Sequence, residues 1–389
     1  MNLNLFLLAF CQGMFLTNNV TFIAINGLVG LAFAPVGWMA TLPVTGYVVG
    51  GALSAPWVAR VQRQFGRKRS FQLGLVMAAV SAGLCAYAAS THQFWLLVLA
   101  TLSAGFYSAN ASLYRFAGPE LVPPQFKERA ISLVLAGGII GAFIGPNLAS
   151  ATRDLLPDRF VGSYLSLIVV ACVSFAAMSF IKFPAHQTPA KGSSSGRSVS
   201  ELVRQPVFVV SVLAAALGYG VMNLLMAATP LAMQQCQFPF SSAALVLEWH
   251  VLGMFVPSFF TGDLIKKFGA MRVMAVGAFL NLVCVVIALS GVELTQFLVA
   301  SAVLGMGWNF LYTGATALYT EAYRPEEKNK AQGFMDMCVF ATMAITSFAS
   351  GALVTTQGWA LLNLGSLVPI GLVSLALAWL ALRPRVSPA

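Results

Sequence analysis

A chain of 389 residues that is 58% hydrophobic and only 9% charged, with a mean hydropathy of +0.81, carries more apolar surface than one water-soluble core can cover. Lipid must solvate most of it, which excludes a soluble enzyme or a soluble binding domain. The net charge of +10 needs no nucleic-acid partner to explain it, because its distribution follows membrane topology.

Twelve apolar stretches are long enough to cross a hydrocarbon layer of about 30 Å at about 1.5 Å per residue. They cover approximately residues 4–28, 36–59, 71–90, 94–116, 130–151, 161–182, 206–232, 242–265, 270–291, 294–319, 331–356 and 360–382. Gly and Pro interrupt several, which a bundle tolerates because neighbouring helices re-satisfy freed backbone groups. An all-α membrane protein of twelve transmembrane helices is the expected fold class.

Of the 22 Lys and Arg residues, 20 fall in the connections from even to odd spans or at the C-terminus, and only Arg153 and Arg159 lie on the other side. That asymmetry places both termini in the cytoplasm. The first residues lack a basic leader and a small-residue cleavage site, so span one is expected to be retained. Six cysteines, at 11, 85, 172, 236, 284 and 338, show no paired spacing and predict no disulfide framework.

A polar stretch rich in Ser, Gly and Pro divides the chain near its middle. Residues 184–205 read as a cytoplasmic linker between an N-terminal six-helix bundle, 1–183, and a C-terminal one, 206–389. Internal similarity supports duplication: Gln64-Phe65-Gly66-Arg67 after span two is matched by Lys267-Phe268-Gly269-Ala270 after span eight. The stretch from Ala111 through Ala130 is likewise echoed from Ala317 through Ala331.

This architecture resembles the major facilitator superfamily over essentially the whole chain. The loop Arg63-Gln64-Phe65-Gly66-Arg67-Lys68 is similar to that superfamily's signature between helices two and three, with Arg63 where an Asp is usual. Gly141-Ala-Phe-Ile-Gly145-Pro146 on span five is similar in part to a second signature found mostly in antiporters. Gly-rich contact faces are also common in any bundle.

Transport folds of this kind place the substrate near mid-membrane between the halves, so unusual side chains there matter most. Span seven carries Met222 and Met226, and span eight carries His250 and Met254. Each pair is spaced i, i+4 and therefore shares one helix face. Matched by depth, the four are expected to face one another in two rungs of three thioethers and one imidazole, a soft set that selects Cu(I) over cations preferring oxygen. Neutral thioethers bind such an ion without holding it too tightly to release. Cys236, just beyond span seven, is a candidate entry ligand once deprotonated.

Plainer readings stand beside this one. Met fills gaps in packed helices, His250 inside a span also suits a proton relay, and Cys236 also suits an ordinary helix-end thiol. Glu248 is expected to snorkel to the outer boundary. Glu321 and Asp336 are expected to pair with the cations of the loop 324–330, and Asn18, Asn19, Asn110 and Asn309 to bond between helices.

The Met-x-x-x-Met, Cys, His-x-x-x-Met series resembles the CcoA-type copper importers of the major facilitator superfamily. That resemblance implies copper import across the bacterial inner membrane for assembly of cbb3-type cytochrome c oxidase, with copper as cargo rather than cofactor and copper chaperones as partners. Phe15, Asn19, Tyr47 and Gly51 occupy the corresponding places in the first half, so the soft ligands belong to the second half alone. No phosphate-binding loop or catalytic triad is present, so neither ATP-driven transport nor enzymatic activity is expected. Two alternatives remain open: a transporter of a small organic solute such as a vitamin, drug or organic anion, and a membrane sensor or assembly factor that binds copper without moving it.

Overall fold

In a computed structural model, residues 3–123, 126–184, 196–324 and 327–383 are described, and among them regular structure is entirely helical. Twelve helices are long and apolar enough to cross a membrane: Leu3–Phe33, Gly37–Gln62, Gln64–Ser90, Phe94–Leu121, Leu133–Thr152, Val161–Phe180, Pro206–Gln235, Phe240–Phe268, Ala270–Leu289, Leu294–Tyr319, Lys330–Thr356 and Gly358–Leu382. They are spans one to twelve below. Their order is the expected one, with ends moved by a few residues. Most of the linker, 185–195, and the side chain of Arg63 lie outside the described residues.

The duplication is visible in the backbone. Gly66 turns the chain from span two into span three at φ 79°, and Gly269 does the same between spans eight and nine at φ 85°. Both angles lie in the left-handed region that only glycine enters without a Cβ penalty. After the first turn, Arg67 makes a 2.6 Å ion pair with Glu120 at the end of span four, and Lys68 donates to the Ser179 carbonyl of span six at 2.6 Å. The basic loop is thus fastened to its own half of the protein.

Spans eight and ten approach at backbone distance. A Cβ on Gly253 would collide with the Ala302 carbonyl, and one on Gly305 with the His250 carbonyl. Asn309 completes this interface: its Nδ2 donates to the Met254 carbonyl at 2.8 Å and to Ser258 Oγ at 2.7 Å, while its Oδ1 accepts from Thr261 at 2.7 Å. Asn110 similarly accepts from Ser70 at 2.6 Å between spans three and four. Asn309→Ala would strand buried partners at about 1–3 kcal/mol each, and a lower thermal midpoint in detergent is the expected result. Gly141 and Gly145 of the span-five motif pack against Leu16, Thr17 and Val20 of span one, a helix-contact role.

The loop between spans ten and eleven departs from expectation. Glu321 is exposed, and Asp336 lies within electrostatic reach of Arg115 in the other half. Glu327 instead takes the central place, fully buried. Arg197 donates to both its oxygens at 2.8 and 2.7 Å, and the backbone N–H groups of Arg197 and Arg324 add 2.8 and 2.9 Å bonds. Together, Arg197 foremost, they hold its carboxyl well below the usual carboxylate range. A depressed carboxylate stabilises the fold above the ordinary pKa of about 4.3, and the contribution is lost as pH falls through the folded-state value. Glu327→Gln should therefore loosen this knot at neutral pH, read as faster tryptic cleavage after Arg197.

Candidate functional site

The structure buries Met222, Met226, His250 and Met254, and leaves Cys236 half-buried at the C-terminal cap of span seven. Span seven packs mainly on spans ten, eleven and twelve, whereas span eight packs on ten and five, so span ten touches both and they touch each other little. The three methionines share one apolar cluster with Trp308 of span ten. His250 Nδ1 lies 2.8 Å from the Ser301 carbonyl. A carbonyl only accepts, so Nδ1 carries a proton, and the buried Nε2 has no partner. Among the described residues, no group of three or more His, Cys, Asp or Glu side chains is placed to hold a metal ion.

The same cluster also gathers aromatic side chains, Trp308 within it and Tyr219, Tyr312 and Phe255 packed against it. Tyr219 stands on the same face of span seven as Met222 and Met226, at i, i+3 and i+7. Trp308 and Tyr312, i and i+4 on span ten, stack with centroids 5.2 Å apart and planes 10° from parallel. Tyr219 meets both edge-on, at 5.3 Å from Trp308 and 5.5 Å from Tyr312. Phe255 of span eight adds an edge contact to Trp308 at 6.5 Å, and it also packs against the core of the first half. Four aromatic side chains from spans seven, eight and ten therefore form a box beside the interface between the halves.

Several polar atoms of spans one, two, four and ten are buried without a partner, among them Asn18 Oδ1, the Tyr47 hydroxyl, Arg115 Nε and Trp308 Nε1. Such atoms cost free energy unless a ligand or water meets them. Arg115 lies within electrostatic reach of Tyr312, Tyr219 and Asp336, so the field of a cation of the first half extends to the aromatic side chains of the second.

At one end of the bundle the halves lock together. Thr41 Oγ1 donates to the Ser347 carbonyl at 2.7 Å and accepts from the Gly351 N–H at 3.1 Å. Trp38 packs edge-on against Phe348 at 5.7 Å. Asn147 donates to Glu248 at 3.1 Å, so this carboxylate joins the two halves instead of merely snorkelling. A cavity of about 470 Å³ is lined by His92, Arg153, Asp158, Arg159 and Gln234, among others.

The aromatic box and Arg115 escape sequence reading for different reasons. Tyr, Trp and Phe look like ordinary apolar filling in a chain this hydrophobic. Arg115 looks like one more cytoplasmic topology cation, although it falls within a span, where a charge marks a functional position by default.

The major facilitator superfamily model matches residues 5–249 and 211–389. The riboflavin transporter RfnT of Brucella anthropi is 36% identical over 384 residues, covering 98% of this chain and 96% of its own. Among solved structures, a variant of the nucleoside transporter NupG superposes with a TM-score of 0.75 at 12% identity, covering 97% of this chain and 98% of that one. The human organic anion transporter MFSD10 gives 0.69 at 14%, covering 96% and 99%. These relatives are transporters, in keeping with a protein that moves a solute without transforming it. By a family model matched from near one end to the other and a relative similar along its whole length, this multi-pass membrane protein belongs to the major facilitator superfamily.

Proposed function

We propose that this protein is a secondary transporter that carries a small, flat heteroaromatic solute of the vitamin class, riboflavin or a close analogue, across the bacterial inner membrane by alternating access. The end-to-end similarity to a riboflavin transporter carries the reading. The box of Tyr219, Trp308, Tyr312 and Phe255 supplies what such a cargo needs. Ring contacts of about 0.5–1.5 kcal/mol each fall short of the roughly 8 kcal/mol of micromolar binding. Apolar burial and a few placed polar groups would provide the rest.

Copper import, with delivery to cbb3-type oxidase assembly and hand-over to chaperones, is the second reading. The unpartnered Nε2 of buried His250, on the helix that also carries Met254, favours it. The relatives named above transport a vitamin, a nucleoside and organic anions, and none is named for copper.

One uptake experiment separates the two. A strain unable to make riboflavin, expressing this protein, should grow on low external riboflavin and accumulate the labelled vitamin. Absence of flavin uptake together with copper uptake that disappears in His250→Ala and Met254→Ala would reverse the order. Copper bound but never moved in proteoliposomes would identify a sensor instead.

A further inference from the structure

Of all the Lys and Arg residues, only Arg153 and Arg159 stand in an odd-to-even connection, against the bias that sets topology. Topology therefore does not account for them. The structure brings both to one place, the lining of the cavity of about 470 Å³, whose size falls within the roughly 300–1,000 Å³ usual for small-molecule sites. That lining is drawn from the end of span one, the connections after spans three and five, and residues 230–243 around the turn from span seven to span eight, so both halves contribute.

Rings and cations alternate around it. Phe160 of the first half meets Phe240 of the second edge-on at 5.2 Å, and Phe33 meets His92 at 4.8 Å. The Arg153 guanidinium lies 5.8 Å from the centre of the Phe240 ring, and that of Arg159 lies 5.7 Å from the centre of Phe160. Asp154 accepts from Arg153 Nε at 2.8 Å and stands 3.7 Å from Arg159 Nε. Among the described residues, the terminal nitrogens of both guanidinium groups make no hydrogen bond. Asp154 is itself 60% exposed, so water screens its hold on the pair.

The backbone singles out the same place. His92, Phe160 and Gln237, at φ 55°, 68° and 64°, are the three non-glycine residues in the left-handed region among the described residues. The first two line the cavity, and Gln237 adjoins Phe238, which also lines it. Glycine fills such positions at least conformational cost, and larger residues held there gather at ligand sites.

We propose that this cavity is a binding site for aromatic monocarboxylates, the ring packing on Phe160 and Phe240 and the carboxylate accepting from Arg153 and Arg159. A guanidinium fork matches a carboxylate with two parallel hydrogen bonds. Asp158 shares the lining, and two cations against one carboxylate suit a single negative charge better than a double one. The four aromatic residues of the box are not among the lining residues, so this assignment stands apart from the riboflavin reading.

Equilibrium binding of radiolabelled salicylate to the purified full chain in lipid nanodiscs at pH 8 tests it. Salicylate should bind saturably, and unlabelled salicylate should displace it at least about tenfold better than salicylamide, which lacks the charge, acetate, which lacks the ring, or phenyl phosphate, which carries a second charge. That factor is the scale of a hydrogen bond to a charged group. Arg159→Gln alters a side chain that is 60% exposed and should weaken salicylate binding at least about fivefold at an unchanged thermal midpoint. Arg153→Gln should weaken it likewise, and Phe240→Leu, which removes the ring of the second half, should weaken it too. Equal displacement by salicylamide, tighter binding of phenyl phosphate, or undiminished affinity in both arginine variants would each overturn the assignment.

Discussion

Trp308→Ala is expected to raise the KM for riboflavin uptake by about 5- to 150-fold, which corresponds to loss of about 1–3 kcal/mol of stacking. Trp308 is the hub of the box, stacked on Tyr312 and touched at its edges by Tyr219 and Phe255. Truncating a buried aromatic also costs about 3–5 kcal/mol of fold stability, so transport must be normalised to folded protein. Trp308→Phe separates the two effects, since it keeps a π-face and most of the packing while removing the unpartnered Nε1. A KM within about threefold of wild type in Trp308→Ala, at normal protein level, would mean that the box is only packing.

Gly351→Ala is expected to reduce uptake more than about tenfold by a different route. A Cβ at that position would overlap Thr41 Oγ1 and lie 2.8 Å from Thr41 Cγ2 and 2.9 Å from its Cβ. Thr41 is fully buried at this seam, so the halves would have to part there. This lock would fail to close, and a membrane-impermeant thiol reagent should label half-buried Cys236 faster. Thr41→Gly combined with Gly351→Ala returns the missing space at the cost of the two Thr41 hydrogen bonds, and should recover transport to the level of Thr41→Gly alone. Continued inactivity of that pair, with unchanged labelling of Cys236, would show that the lock is not what Gly351 serves.

The scaffold was legible because each of its determinants is local and repeated. Span lengths, cation asymmetry and the paired turns at Gly66 and Gly269 all follow from short stretches of sequence. The site was less legible because it is assembled across distance. Met222, Met226, His250 and Met254 stand out through their helical spacing, yet that spacing says nothing about span ten, which packs on both of their helices. Tyr219, Trp308 and Tyr312 take meaning only once folding sets their rings face to edge. Asp336 lies near a basic loop in sequence, but helix geometry directs its field toward Arg115, more than two hundred residues earlier. Glu327, one acidic residue in a short polar run, becomes the centre of a four-bond knot only when the end of the linker returns to it.

The glycine contacts between spans eight and ten, with Asn309 bonded to both sides of the Val256–Pro257 interruption of span eight, tie the two segments of that span to one partner helix. Phe255 and Trp308 stand on backbones that are joined in this way. A displacement of either helix therefore carries both rings with it.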